Sequence, residues 1–386
     1  MSSVGVGFIG GESTSFHMQR AKKITHDYLP LPIFTQRMET RISDNTENSR
    51  LLRLCVVSSV GGHLREVLQL LPPPGSCQLR FVINDAVQTM LPGPADRIAH
   101  AERDLIVLWN GIEAVRYIKK YRPDVLLSTG AGPIVPFAII GKLYGCKTIF
   151  VETFGAVETP SLTAQLVWRF ADRFYYQWPQ LGRFFPTGRY GGPVFTPAFL
   201  PISSRCAQDL AAEKARPLRV FVAVGTSGRG FDRLLQWIDE LVKNSGLPGQ
   251  ILAQRGHSRY VPRYYESKPF FSSAELESHI ATADVVICHA GAGLIGTCII
   301  HNKRPILIPR LEKFGEAINN HQVSLAIALK NSGRAFLANK STEIPLLIKH
   351  VVTTIPTMLG HTEQTLKEFV WKDLCEFAKE RGIDMR

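Results

Sequence analysis

No run of about 18 apolar residues, the length a bilayer-crossing helix needs, occurs in this chain. Its first residues show no basic stretch followed by an apolar one, so neither a spanning helix nor export is expected. Cysteine is sparse: Cys55, Cys77, Cys146, Cys206, Cys288, Cys298 and Cys375 are scattered without CxxC or zinc spacing. That pattern excludes a disulfide framework and a zinc ribbon, and reads as reduced, buried thiols in a cytoplasmic protein. Asp-x-Asp is absent, so the paired carboxylates that hold a diphosphate substrate through a divalent cation are missing. No metal and no cofactor is expected. Signatures of nucleic-acid-binding modules are missing too, which argues against nucleic acid as a partner.

What is present describes a folded protein, 45% hydrophobic and 20% charged. Lys and Arg number 45 against 33 Asp and Glu, a formal charge of +12 that favours an anionic leaflet or phosphorylated substrates. The 386 residues suffice for two domains of ordinary size. Residues 1–50 are polar and aperiodic and read as a disordered leader or a misassigned start. Beyond them, Leu54–Val57, Leu79–Ile83, Leu105–Leu108, Val125–Leu127, Thr148–Val151 and Phe174–Tyr176 read as strands, with helical patterns such as Gly111–Tyr121 between them. The rhythm restarts at Val220–Val224 and continues through Ile251–Gln254, Val285–Cys288, Ile306–Ile308 and Ala335–Leu337. This alternation predicts an α/β protein of two doubly wound, Rossmann-like domains facing a cleft. They span 51–195 and 218–360, joined by a Pro- and Ser-rich linker at 196–217. Residues 361–386 read as an amphipathic helix that packs back across the domains.

The densest signal lies between Ala283 and Gln322. A β-branched strand ends in His289-Ala290-Gly291-Ala292-Gly293, and a helical pattern starts there. Such a turn offers unpaired backbone N–H groups and a positive dipole end to an anion. The next strand is capped by Arg310, and Glu316, Asn320, His321 and Gln322 then open another helix. A surface loop with ordinary polar caps gives the same local pattern, since a glycine pair is weak evidence. In the first domain Gly61-Gly62-His63 follows a strand, at the carboxyl end where doubly wound sheets bind ligands. A histidine there suits proton transfer, or caps a helix. Glu152 also follows a strand: a second acid/base, a partner that orients His63, or a carboxylate satisfied by a helix N-terminus. Thr129, Gly130 and Gly132 offer backbone N–H groups to a diphosphate. Gly225, Thr226, Gln254 and Gly256 end the first two strands of the second domain.

HAGAG, the following PILIPR, and NNHQ resemble the donor half of family 28-type glycosyltransferases of the GT-B fold. The segments VETF, YQWP and YGGP resemble the acceptor subunit of bacterial exopolysaccharide enzymes, where two subunits work as a pair that is fused here. The resemblance implies an inverting, metal-independent transfer of a sugar from a UDP-sugar to a polyprenyl-diphosphate-linked sugar. It implies a place on the inner face of the cell membrane, and leaves open a homo-oligomer or a polysaccharide assembly complex. His63 is the implied base, with Glu152 beside it. Gly61, Gly62, Thr129, Gly130 and Gly132 face the acceptor. Gly225, Thr226, Gln254, Gly256, His289, Gly291, Ala292, Gly293, Arg310, Glu316, Asn320, His321 and Gln322 face the donor. Many relatives carry a ribose-holding glutamate where this chain has Cys298.

Arg310 can meet a carboxylate bidentately, which favours glucuronic acid as the donor sugar. Aromatic residues interleaved with Arg169, Arg173, Arg183 and Arg189 over Trp168–Tyr190 suit a membrane interface. Three rival readings stand: a UDP-GlcNAc transferase to a lipid-linked GlcNAc, a UDP-sugar 2-epimerase, and a non-catalytic nucleotide-sugar-binding scaffold.

Overall fold

The protein is described here by a computed structural model covering residues 50–84, 91–98, 106–196, 216–247, 249–353 and 365–385, with backbone alone at 106–109. All of the leader expected at 1–50 except its last residue, and most of the linker expected at 196–217, lie outside the described residues. Seven strands form the first sheet: β1 (Arg53–Ser58), β2 (Gln78–Ile83), β3 (Ala95–Arg97), β4 (Val125–Ser128), β5 (Lys147–Val151), β6 (Arg173–Tyr176) and β7 (Arg189–Tyr190). All neighbours are parallel, in the order β3-β2-β1-β4-β5-β6-β7. The second sheet holds β8 (Arg219–Ala223), β9 (Gln250–Gln254), β10 (Glu266–Lys268), β11 (Val285–Cys288), β12 (Ile306–Leu307) and β13 (Phe336–Leu337). It is also parallel throughout, in the order β10-β9-β8-β11-β12-β13.

Parallel strands need crossovers that cover both faces of a sheet, so their sequences run apolar without alternation. β4 (VLLS) and β11 (VVIC) obey this: every residue in both is buried. Each sheet reverses its winding once, at β1/β4 and at β8/β11, and the crevice outside the carboxyl ends at such a reversal is where ligands bind.

Of the strand expected at Leu105–Leu108, residue 105 lies outside the described residues and 106–108 are helical, since Ile106–Tyr121 is a single helix. A four-residue apolar run looks the same in a buried strand and in the first turn of a helix, and only the continuing pattern separates them. The edge strands β3 and β10, three residues each, carry no apolar period to read.

One hydrophobic cluster crosses from sheet to sheet, joining Val56, Phe154 and Phe195 to Cys288, Ile295 and Leu325. The helix Leu366–Glu380, started by a Thr365/Glu368 capping box, returns to the first sheet. There Asp373 accepts from Tyr175 Oη at 2.5 Å and from Arg173 Nε at 3.0 Å. Arg381, just past it, donates to Gly145 O at 2.5 Å and to the buried Asp124 at 3.3 Å. Among the described residues no helix is long and apolar enough to cross a membrane.

Candidate active site

His63 stands at the β1/β4 reversal, on the first turn of the helix Gly62–Gln69. Gly61 enters that helix with φ near +90°, a conformation glycine adopts without strain. The ring Nδ1 lies 3.1 Å from the Thr129 carbonyl, and Thr129 Oγ1 donates back to the His63 carbonyl at 2.8 Å. A carbonyl only accepts, so Nδ1 carries the hydrogen and Nε2 keeps the lone pair. Burial holds the imidazole below its ordinary pKa, with the Thr129 bond opposing, so the ring is neutral at pH 7. Gly130, at φ +127°, leaves room for this ring: a Cβ there would lie 2.8 Å from His63 Cε1. Gly132 receives Val135 N on its carbonyl at 3.2 Å as the next helix begins.

Glu152 is fully buried and both its oxygens are engaged, Oε1 by Thr153 N at 2.8 Å and Oε2 by Ser161 N at 2.9 Å. Ser161 caps the helix Leu162–Val167, so the carboxylate closes a loop onto a helix start, and Thr129 rather than Glu152 orients His63. Desolvation pushes Glu152 up to about 7. The sequence reading missed a second buried acid, Glu66, on the same helix as His63. It accepts from Thr153 Oγ1 at 2.8 Å, Phe154 N at 2.9 Å and Gln177 Nε2 at 3.3 Å, and burial pushes it up to about 8. Its spacing of i+3 from His63 was visible, but its partners lie 87 and more residues away.

At the β8/β11 reversal the His289 ring is enclosed by two glycines. A Cβ on Gly225 would lie 2.4 Å from its Cε1, and one on Gly291 2.2 Å from its Nε2. Burial, and then the nearby Arg310 charge, push this imidazole down to about 3. Its Nδ1 is buried without a hydrogen-bond partner among the described residues. Gly291 precedes the helix Ala292–Ile300, whose first turn holds Ala292 and Gly293. Gly256, at φ +54°, passes so near Gly225 that a Cβ would sit 2.4 Å from the Gly225 carbonyl. Gln254 is buried and accepts from Phe271 N at 3.1 Å. Thr226 is exposed at the loop tip.

Arg310 does not reach out as expected. It is 1% exposed, its Nη2 donates to Val224 O at 2.5 Å and its Nη1 to Glu316 O at 3.3 Å. A carboxylate clamp needs a free fork, and this fork is turned into the fold. Glu316 is likewise occupied, by Arg233 Nε and Nη2 at 2.8 Å each and by Leu311 N at 2.9 Å. Gln322 Oε1 accepts from Arg310 N at 3.1 Å. Asn320 and His321 are exposed, and Asn320 Oδ1 accepts from Glu312 N at 3.2 Å.

The two reversals meet. The helices Gly62–Gln69 and Ala292–Ile300 pack together, and a Cβ on Gly293 would lie 3.2 Å from Gly62 Cα. Phe195, on the segment that follows β7, packs its ring where a Cβ on Gly296 would be, 2.4 Å from Cε1. The contact therefore brings the helix that carries His63 onto the first turn of the helix that follows Gly291. It sets the helix of a neutral imidazole against a helix N-terminus, the parts for proton abstraction next to anion stabilisation.

Residues 219–367 match the family model for the glycosyltransferase family 28 C-terminal domain. Residues 101–194 match the oligosaccharide biosynthesis protein Alg14-like family. The chain is 25% identical over 254 residues to a UDP-N-acetylglucosamine–N-acetylmuramyl-(pentapeptide) pyrophosphoryl-undecaprenol N-acetylglucosamine transferase of Solibacter usitatus, covering 62% of this chain and 64% of that one. It thus spans less than two thirds of that relative. It is 33% identical over 96 residues to the UDP-N-acetylglucosamine transferase subunit ALG14 of Rattus norvegicus, covering 23% of this chain and 43% of that one. The crystal structure of MurG from Acinetobacter baumannii superposes with a TM-score of 0.53 at 18% identity, covering 85% of this chain and 99% of that one. The fold, two facing parallel-sheet domains, is GT-B.

Proposed function

We infer from a family 28 glycosyltransferase C-terminal domain and an Alg14-like domain in one GT-B chain that this protein transfers a sugar from a UDP-sugar to a lipid-linked diphosphate sugar, with inversion. The observation that carries the reading is the contact of the His63 helix with the Gly291–Gly293 turn. His63 Nε2 takes the proton of the acceptor hydroxyl as its oxygen attacks the anomeric carbon. The bond from that carbon to the UDP oxygen breaks, and the diphosphate leaves toward the N-terminus of the helix Ala292–Ile300. Holding both reactants in one crevice supplies much of the acceleration.

The donor sugar we propose is an N-acetylhexosamine. Arg310, the reason to expect glucuronic acid, has both terminal nitrogens on main-chain carbonyls. The VETF, YQWP and YGGP segments favour exopolysaccharide or capsule as the product polymer, and association with the inner leaflet follows from a lipid-linked acceptor. The test is incubation with UDP-GlcNAc or UDP-glucuronic acid, with and without a short-chain polyprenyl-diphosphate sugar. UDP release that requires the acceptor supports the reading. Conversion of the nucleotide sugar without acceptor makes the protein an epimerase, and UDP binding without turnover makes it a scaffold.

A further inference from the structure

Arg65 lies two residues beyond His63 but reaches into the other sheet's territory. Its Nη1 donates to Thr297 Oγ1, and that hydroxyl donates on to the Gly293 carbonyl at 3.1 Å. Its side chain covers the first turn of the helix Ala292–Ile300: a Cβ added to Gly293 would meet Arg65 Cδ at 3.3 Å. No carboxylate stands within ion-pair distance of Arg65 among the described residues, and Thr297 is its hydrogen-bond partner. Burial holds its pKa below the ordinary arginine value, opposed by the more distant charge of Glu277. A largely desolvated guanidinium one turn into that helix, bonded to a hydroxyl and paired with no carboxylate, is a charge without a close counter-ion.

We propose that the missing counter-ion is the diphosphate of the nucleotide donor, and that Arg65 is a catalytic residue delivered to it from the acceptor-side sheet. This rests on the reading above and deepens it. When the donor is bound, Arg65 exchanges Thr297 for phosphate oxygens, which its planar fork engages two at a time. As the bond to the anomeric carbon breaks, the charge arriving on the leaving oxygen meets this cation as well as the helix N–H groups. Because Arg65 rides on the His63 helix, base and leaving-group cation reach the donor together. Neutralisation of the leaving group thereby depends on both sheets being in contact.

The experiment compares UDP and uridine affinity by calorimetry for the full chain and for Arg65→Gln, Arg65→Lys and Thr297→Val. Removing one charge-assisted phosphate contact should weaken UDP by about tenfold to a hundredfold and leave uridine unchanged. Arg65→Lys, which keeps the charge but not the fork, should lose less, and it serves if the glutamine variant does not fold. Thr297→Val should bind UDP as well as the parent chain or better, since it frees Arg65 from its resting partner. An unchanged UDP-to-uridine ratio in both Arg65 variants would overturn the proposal. Equal losses in Arg65→Gln and Thr297→Val would overturn it too, leaving the pair a clasp between the sheets. A parent chain that binds UDP no better than uridine would instead remove the diphosphate site, and the underlying functional reading with it.

Discussion

His63 and Thr129 hold each other by two reciprocal hydrogen bonds, ring Nδ1 to carbonyl at 3.1 Å and hydroxyl to the His63 carbonyl at 2.8 Å. The pair fixes the tautomer before any substrate arrives, which is what a general base requires. His63→Ala should lower turnover by roughly 10²–10⁴-fold while UDP affinity stays level. Burial lowers the His63 pKa, so the acid limb of kcat/KM should fall below pH 6.5. A limb above that value, or near-normal turnover in the alanine variant at saturating substrates, would take His63 out of the reaction.

Glu66 and Glu152 give stability a pH dependence of the opposite sense to the histidines. Their folded pKa values are raised, to about 8 and about 7, from an ordinary 4.5. The folded state therefore binds more protons than the unfolded one between these values, and stability falls as pH rises through them. Glu66→Gln keeps one acceptor for Phe154 N and a donor for Thr153 Oγ1, and removes the ionisation. The variant should match the parent chain near pH 5 and exceed it in Tm near pH 8. A Tm difference independent of pH would show that Glu66 does not titrate in this range.

The sheets were legible in the sequence because parallel strands are short, β-branched and apolar throughout, as at Val285–Cys288. The site was legible only as places. Gly225, His289 and Gly291 were each picked out as donor contacts, yet nothing local says that the two glycines enclose the imidazole between them. Arg65 and Thr297 stand 232 residues apart, and Glu66 stands 87 from Thr153. Contacts of that separation leave no period or spacing to read. Arg310 shows the same gap in reverse, since an arginine after a strand reads as a ligand contact until burial shows it turned inward. The crowding of aromatics over Trp168–Tyr190 divides in the fold: Phe174, Tyr175 and Phe185 are core and Arg173 is paired with Asp373 and Glu376, whereas Phe184, Tyr190, Arg169 and Arg183 are exposed.

The enclosure of His289 predicts an ordered series of effects. Gly225→Ala adds a Cβ at φ +80° and drives it into the ring, a strain of about 1–3 kcal/mol that should lower Tm as well as UDP affinity. Gly291 has ordinary extended φ, so Gly291→Ala carries only the clash with His289 Nε2. It should lose UDP affinity with the smaller loss of Tm. Combining Gly291→Ala with His289→Ala removes the colliding ring and should recover Tm. Failure of that recovery in thermal unfolding would mean the glycine is needed for something other than the histidine.

Attachment to a membrane should draw on the exposed cations of the Trp168–Tyr190 segment together with the apolar helix surface beside it. The helices Ile134–Leu143 and Leu162–Val167 pack side by side and expose Leu143, Tyr144, Leu162 and Leu166. Lys142, Arg169 and Arg183 are exposed as well. Apolar side chains rimmed by cations suit an anionic interface, where each basic residue near the surface adds about 1 kcal/mol. The protein should sediment with anionic vesicles at low salt and be largely released near roughly 1 M salt, where the Debye length is about 3 Å. Arg169→Ser with Arg183→Ser should weaken the salt-sensitive part of binding, and Leu162→Ser with Leu166→Ser the part that survives salt. Arg173→Ser should act differently, lowering Tm through the lost pairing with Asp373 while vesicle binding persists. Equal binding to anionic and zwitterionic vesicles at every salt concentration would leave apolar insertion alone, and binding to neither would remove the membrane from the reading.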